Sequence, residues 1–217
     1  MYLPAHFQED RVDVLHQLIG HHALGTLVTQ GADGLTADHI PFIVDPRPGP
    51  FGTLRGHVAR ANPLWRKDGS EVMVVFQGAD AYISPSWYPS KQEHGKVVPT
   101  WNYAVVHAHG ALRAIDDVEW LRDFLATLTE RFESPMPMPW KVSDAPADFI
   151  ETLMRSIVGI EIPMTRLQGK WKTSQNRPRA DREGVMAGLH AVAKVDTGEA
   201  SDANAMADWV AVTGKSS

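Results

Sequence analysis

Apolar positions along this chain recur at two spacings, one helical and one alternating. Val12, Val14, Leu15, Leu18 and Ile19 stand near helical spacing over residues 11–20, and Gly20 offers a stop. Residues 24–29 read as a strand, Gly31 to Gly34 as a turn, and residues 35–44 as a second strand that ends at Asp45 to Pro50. Further strands are expected at 51–58, at 71–77 and 81–84 (joined at Gly78-Ala79-Asp80), at 101–115 with a bend near Gly110, and at 158–171. Short helices are expected at 62–67 and 146–157, and longer ones at 116–132 and 180–194. The 116–132 segment carries the clearest stripe, Val118, Leu121, Leu125 and Leu128, with Asp116 or Asp117 as cap. Residues 85–99 hold three prolines and read as a long, functional loop.

Strands and helices do not alternate regularly, so a doubly wound parallel sheet is disfavoured. Short connections favour an antiparallel sheet: a mainly β fold with peripheral helices, about six or seven strands forming a closed or half-closed barrel. The organisation expected is one domain over residues 1–194, with a helical insertion at about 116–157 and a weakly ordered, Ala-, Asp- and Ser-rich tail over 195–217.

Composition narrows the chemistry. The chain has no cysteine, which excludes thiol catalysis, Fe–S clusters and cysteine zinc sites. Its net charge is -5, which argues against direct DNA binding through phosphates. No apolar run reaches transmembrane length and no signal-peptide pattern opens the chain, so a cytoplasmic location without membrane contact is expected. Hydrophobic content of 43% suffices for a buried core.

Four segments carry candidate chemistry. In Arg55-Gly56-His57-Val58-Ala59-Arg60-Ala61-Asn62-Pro63-Leu64-Trp65 a strand runs into a helix start, with Asn62 as cap and Pro63 at the first position. This is either a phosphate cradle, with Arg60 adding charge, or a plain junction. In Tyr82 to Lys91, Trp87 and Tyr88 can stack on a planar ring and Lys91 can pair with a phosphate, or the aromatics pack on the core. In Val98 to Tyr103, Trp101 and Tyr103 share one strand face and Asn102 takes the other, free to bond a ligand amide or to serve the core. Gly169-Lys170-Trp171-Lys172-Thr173-Ser174-Gln175-Asn176-Arg177 is rich in donors, with Arg177, Arg179 and Arg182 as the best local basic patch, or else it is a solvated loop. His107 and His109 share a strand face, but with His57, His39 or His94 they give only a weak metal signal, and no metal is expected.

Read in order, these segments, together with the opening Met1-Tyr2-Leu3-Pro4-Ala5-His6-Phe7, resemble the FMN-binding negative transcriptional regulator family, often called PaiB-like, over about residues 1–190. The resemblance implies an antiparallel FMN-binding split β-barrel, similar to pyridoxamine-phosphate oxidase, working as a homodimer with FMN at the subunit interface. It implies a cofactor site drawn from His57, Val58, Ala59, Arg60, Ala61, Asn62, Trp87, Lys91, Thr100, Trp101, Asn102, Lys172, Ser174, Gln175 and Asn176. Arg60, Ala61, Asn62 and Lys91 would stand near the phosphate, and Trp87, Thr100, Trp101 and Asn102 near the ring or ribityl chain. Lys172, Ser174, Gln175 and Asn176 would close the site. Four functions compete: a flavin-sensing regulator, an FMN-dependent oxidoreductase using NAD(P)H, a haem protein with His57, His107 or His109 as axial ligand, and a direct DNA-binding repressor.

Overall fold

The expected strands and helices are largely present in the computed structural model, which describes residues 1–194 and 200–213. In chain order the elements are β1 (Gln8–Glu9), α1 (Val12–His21), β2 (Leu24–Gly31), β3 (Gly34–Pro41), β4 (Ile43–Asp45) and β5 (Thr53–Ala59). They continue with β6 (Glu71–Ile83), α2 (Ser90–His94), β7 (Thr100–Ala111), β8 (Arg113–Ile115), α3 (Val118–Glu133), α4 (Ala147–Met154), β9 (Ile157–Lys172), α5 (Arg179–Lys194) and α6 (Ala200–Thr213). The strand order is β3-β2-β6-β7-β9-β5-β4, with β1 and β8 also paired to β9. The registers of β2 with β3, β5 with β9 and β8 with β9 are antiparallel throughout.

By contacts the chain divides into two units that interleave along the sequence. The first takes Met1–Arg11, Gln77–Val106 and the chain from Gln168; the second takes Val12–Phe76 and His107–Leu167. The second unit's core comes from one face of α1 (Leu15, Leu18, Ile19) and from Leu27, Phe42, Leu54, Val74 and Phe76, all nearly inaccessible. Each such side chain contributes roughly 1.5–3 kcal/mol through its removal from water. The first unit's core gathers Ile83, Tyr88, Val185 and Leu189 with Ala203, Met206, Ala207 and Val210 of α6.

Three differences from the sequence reading have physical reasons. Residues 71–83 form one strand, not two joined at Gly78-Ala79-Asp80. Burial alternates on even residues up to Gly78 and on odd ones from Ala79, so the slip in phase imitates a turn. The 85–99 loop is ordered by a 3-10 turn at Pro85–Trp87 and by α2, which Gly95 ends in the left-handed region at φ 65°. Where a weakly ordered tail is expected, Ala200–Thr213 is helical. Ala203, Met206, Ala207 and Val210 stand at i, i+3, i+4 and i+7 and bury one stripe, which the small residues around them mask in composition. The rest of that expected tail, 195–199 and 214–217, lies outside the described residues.

Candidate functional site

The expected site residues fall into two groups, one in each unit. In the second unit β5 carries His57, Val58 and Ala59 opposite Gly159, Val158 and Ile157 of β9. Val58 points into the core, and His57 points to the other face. There its ring lies 5.7 Å from Phe124, which stacks on Trp120 at 5.1 Å. Burial holds His57 below the usual histidine range, so the imidazole is neutral, and its Nδ1 has no hydrogen-bond partner among the described residues.

The next residues form the expected junction. Asn62 caps the 3-10 turn Pro63–Lys67 by accepting from the Leu64 amide at 2.9 Å, and its Nδ2 donates to Asp38 at 2.8 Å. Ala61 is exposed beside it. Arg60 differs from the free charge expected of a phosphate cradle. It donates to both oxygens of Asp116, at 2.9 and 2.6 Å, and to the carbonyls of Arg155 and Ile157. That hydrogen-bonded pairing holds the Asp116 carboxyl below its usual range.

The first unit holds the remaining candidates. The lone ammonium of Lys91 on α2 is exposed and has no partner among the described residues. Trp87 is pinned against α5: a Cβ on Gly188 would stand 2.2 Å from its ring, and one on Gly184 would stand 2.0 Å from its carbonyl. Trp101 is 54% exposed and packs edge-on against Tyr82, with centroids 6.0 Å apart. Asn102 does face opposite to Trp101, but it is 1% exposed and its amide donates to Ser174 Oγ at 3.0 Å. It therefore braces the interior, because an amide so buried must be satisfied within the protein.

Residues 173–177 turn tightly after β9. Gln175 closes the turn by accepting from the Thr173 amide and donating to the Trp171 carbonyl, and Ser174 sits at φ 64°. Asn176 is exposed. Lys172 donates to Thr100 Oγ1 and to the Trp101 carbonyl. Burial first, then Lys170 and Arg177, hold its pKa below the usual lysine value. Arg177 lies over the ring of Tyr88, 4.9 Å from its centroid, and the Tyr88 hydroxyl is buried without a partner among the described residues.

A family model described as "Putative FMN-binding domain" matches residues 1–166. The chain belongs to that family. FMN is the cofactor this membership assigns to it. A protein of Bacillus subtilis named "Protease synthase and sporulation protein PAI 2" is 31% identical over 188 residues, covering 86% of this chain and 87% of that one. An uncharacterized protein of Emericella nidulans is 36% identical over 226 residues, covering 87% and 90%. Among solved structures, an FAD- and haem-binding protein of Mycobacterium smegmatis superposes with a TM-score of 0.58 at 18% identity, over 83% of this chain and 80% of that one. The shared fold is the antiparallel split barrel of flavin-binding proteins.

The first unit of this FMN-binding chain gathers three cationic side chains. Lys170, Lys172 and Arg177 are close enough for the other two to depress Lys172, and none has a carboxylate partner among the described residues. Uncompensated cations at partly buried positions favour a compact dianion. Lys170 belongs to the donor-rich segment but was left out of the expected cofactor site. Its side chain is 8% exposed, donates to the Tyr2 carbonyl at 3.2 Å and lies between the rings of Tyr2 and Tyr103, at 5.7 and 5.2 Å. Asp181 was missed: it is 2% exposed and accepts from the amide and hydroxyl of Ser90, fixing the start of α2. A lysine two residues from another on a strand carries no sequence signal of ligation, and a lone aspartate in a helix carries none of capping another helix.

Proposed function

We propose that this chain holds FMN as a sensed ligand rather than as a tool of turnover, and that Lys172 and Arg177 receive the flavin phosphate. The observation that supports this reading is the cationic group Lys170–Lys172–Arg177, which has no carboxylate partner among the described residues and whose Lys172 donates to Thr100 and the Trp101 carbonyl. Lys91 and Ser174 to Asn176 are the other candidates of the first unit, and the 57–62 junction is the separate candidate of the second. Arg60 is the weaker phosphate ligand because Asp116 already compensates it. A second copy of the chain completes the site, as the expected homodimer. Bound FMN would supply redox-sensitive electronics, and the protein's residues would hold its phosphate and exclude water from it.

A regulatory role, without direct DNA contact, fits the name of the Bacillus relative, which ties that protein to protease synthesis and sporulation. The test is titration with FMN by absorbance and fluorescence on the intact chain, Lys172→Met and Arg60→Ala. Near-stoichiometric binding that Lys172→Met weakens at least tenfold and Arg60→Ala changes less than threefold supports the assignment. The opposite ranking moves the phosphate to the 57–62 junction. Steady NAD(P)H oxidation by the FMN-loaded protein would replace the sensor with an oxidoreductase.

A further inference from the structure

The first unit also contains a cleft whose chemistry is opposite to that of the cationic group. Its volume is about 190 Å³, and its walls carry Tyr82, Trp87 and Trp101 together with the carboxylates of Asp80 and Asp202. Leu189 and Val192 of α5 contribute apolar surface. No lysine or arginine among the described residues lines it.

The rings are held in place. Tyr82 and Trp101 meet at an interplanar angle of 72°, so they present faces in two directions. Trp87 cannot retreat, because α5 approaches it through Gly184 and Gly188. Asp80 has one oxygen accepting from Gln77 at 2.9 Å, and its other oxygen has no hydrogen-bond partner among the described residues. Asp202, in the first turn of α6, has no hydrogen-bond or ion-pair partner among the described residues.

Aromatic faces carry the negative part of the ring quadrupole and attract cations, most strongly organic ammonium ions whose methyl groups also gain from apolar contact. Two carboxylates at the same cleft repel an anion, so the flavin phosphate is excluded from it. The volume lies below the roughly 300–1,000 Å³ of pockets that enclose drug-sized ligands, so the cleft suits a head group. We propose that this cleft binds the head group of a methylated organic ammonium, with Tyr82, Trp87 and Trp101 as its aromatic walls and Asp202 as the main counter-charge.

The probe is choline chloride, titrated into the full-length protein while tryptophan fluorescence is read at constant ionic strength. Its neutral isostere 3,3-dimethyl-1-butanol is titrated in parallel. Saturable quenching by choline, at least tenfold weaker for the alcohol and at least fivefold weaker for Asp202→Asn, supports the proposal. Asp80→Asn serves as a second variant and is expected to weaken choline binding by a smaller factor. Calorimetric titration of the FMN-loaded protein should give the same choline affinity. Three results would overturn the assignment: no saturable choline binding, equal binding of the alcohol, or loss of choline binding on FMN loading. The last would make the cleft part of the flavin site. None of these results bears on the FMN titration itself, which stands or falls separately.

Discussion

Glycine in the middle of a helix costs about 1 kcal/mol against alanine, so Gly188 at the centre of α5 needs a packing reason. Trp87 supplies it. An added Cβ would stand 2.2, 2.5 and 2.6 Å from three atoms of the indole, where carbon atoms normally rest about 3.5–4.0 Å apart. Gly188→Ala therefore displaces the ring by an ångström or more, and overpacking of that kind costs about 1–3 kcal/mol. Set against the gain in helix propensity, the substitution is expected to destabilise the wild-type chain by up to about 2 kcal/mol. In a Trp87→Ala background the clash is gone and only the propensity gain of about 1 kcal/mol remains, so the sign reverses.

The assay is urea unfolding followed by far-ultraviolet circular dichroism on the wild type, both single variants and the double variant. The coupling between positions 87 and 188 should be about 1–3 kcal/mol, a size typical of residues in contact. Stabilisation of the wild type by Gly188→Ala, or an equal effect in both backgrounds, would refute the claim that the ring is pinned by the helix.

Three further outcomes follow from the electrostatics. Burial lowers His57, His107 and His109 below the ordinary 6.5, so the unfolded chain binds protons more readily. Stability should be full above about pH 6.5 and fall as the pH drops from there towards the folded values; a urea midpoint equal at pH 7.5 and 5.5 would contradict this, and His57→Phe should remove part of the slope. Lys172 is likewise lowered from 10.5, so between its folded value and 10.5 stability should rise with pH. A phosphate placed on Lys172 would raise its pKa again, so calorimetry in buffers of differing ionisation enthalpy should show proton uptake on FMN binding at alkaline pH; zero uptake would separate Lys172 from the phosphate. Lys170→Met removes a nearly buried ammonium that has no carboxylate partner among the described residues, and the urea midpoint should stay level or rise; a loss above about 1 kcal/mol would mean that the Tyr2 and Tyr103 contacts outweigh desolvation.

The sequence made the backbone of the fold legible because its period-two and helical spacings are strong. β7 is the clearest case: Asn102, Ala104, Val106, Ala108 and Gly110 are all buried, and Trp101 and Tyr103 lie on the other face. α3 is capped by Asp117, whose side chain accepts from the Trp120 amide, one of the two residues expected. What stayed hidden depends on contacts between distant parts of the chain. Nothing near Arg60 marks Asp116 as its partner 56 positions away. Asn102 reads as a free amide until Ser174 meets it. α6 went unseen because alanine-rich stripes bury little area per residue and look like a tail.

The proposed phosphate site rests on how charge is distributed. The chain as a whole carries -5, yet the Lys170–Lys172–Arg177 group concentrates cations with no carboxylate partner among the described residues. A duplex backbone offers phosphates spread along a rigid rod and is held by exposed lysine and arginine rows that release many counterions. Lys170 is 8% exposed and Lys172 is directed onto Thr100 and the Trp101 carbonyl, so neither can follow such a rod. A single phosphate ester needs no such row. It needs two or three partly desolvated donors whose charge is not already spent, because attraction strengthens as the local dielectric falls. Arg60, bonded to both oxygens of Asp116, fails that condition, whereas Lys172 and Arg177 meet it. The same reasoning separates the aromatic cleft from the proposed phosphate site, because Asp80 and Asp202 give it the opposite sign.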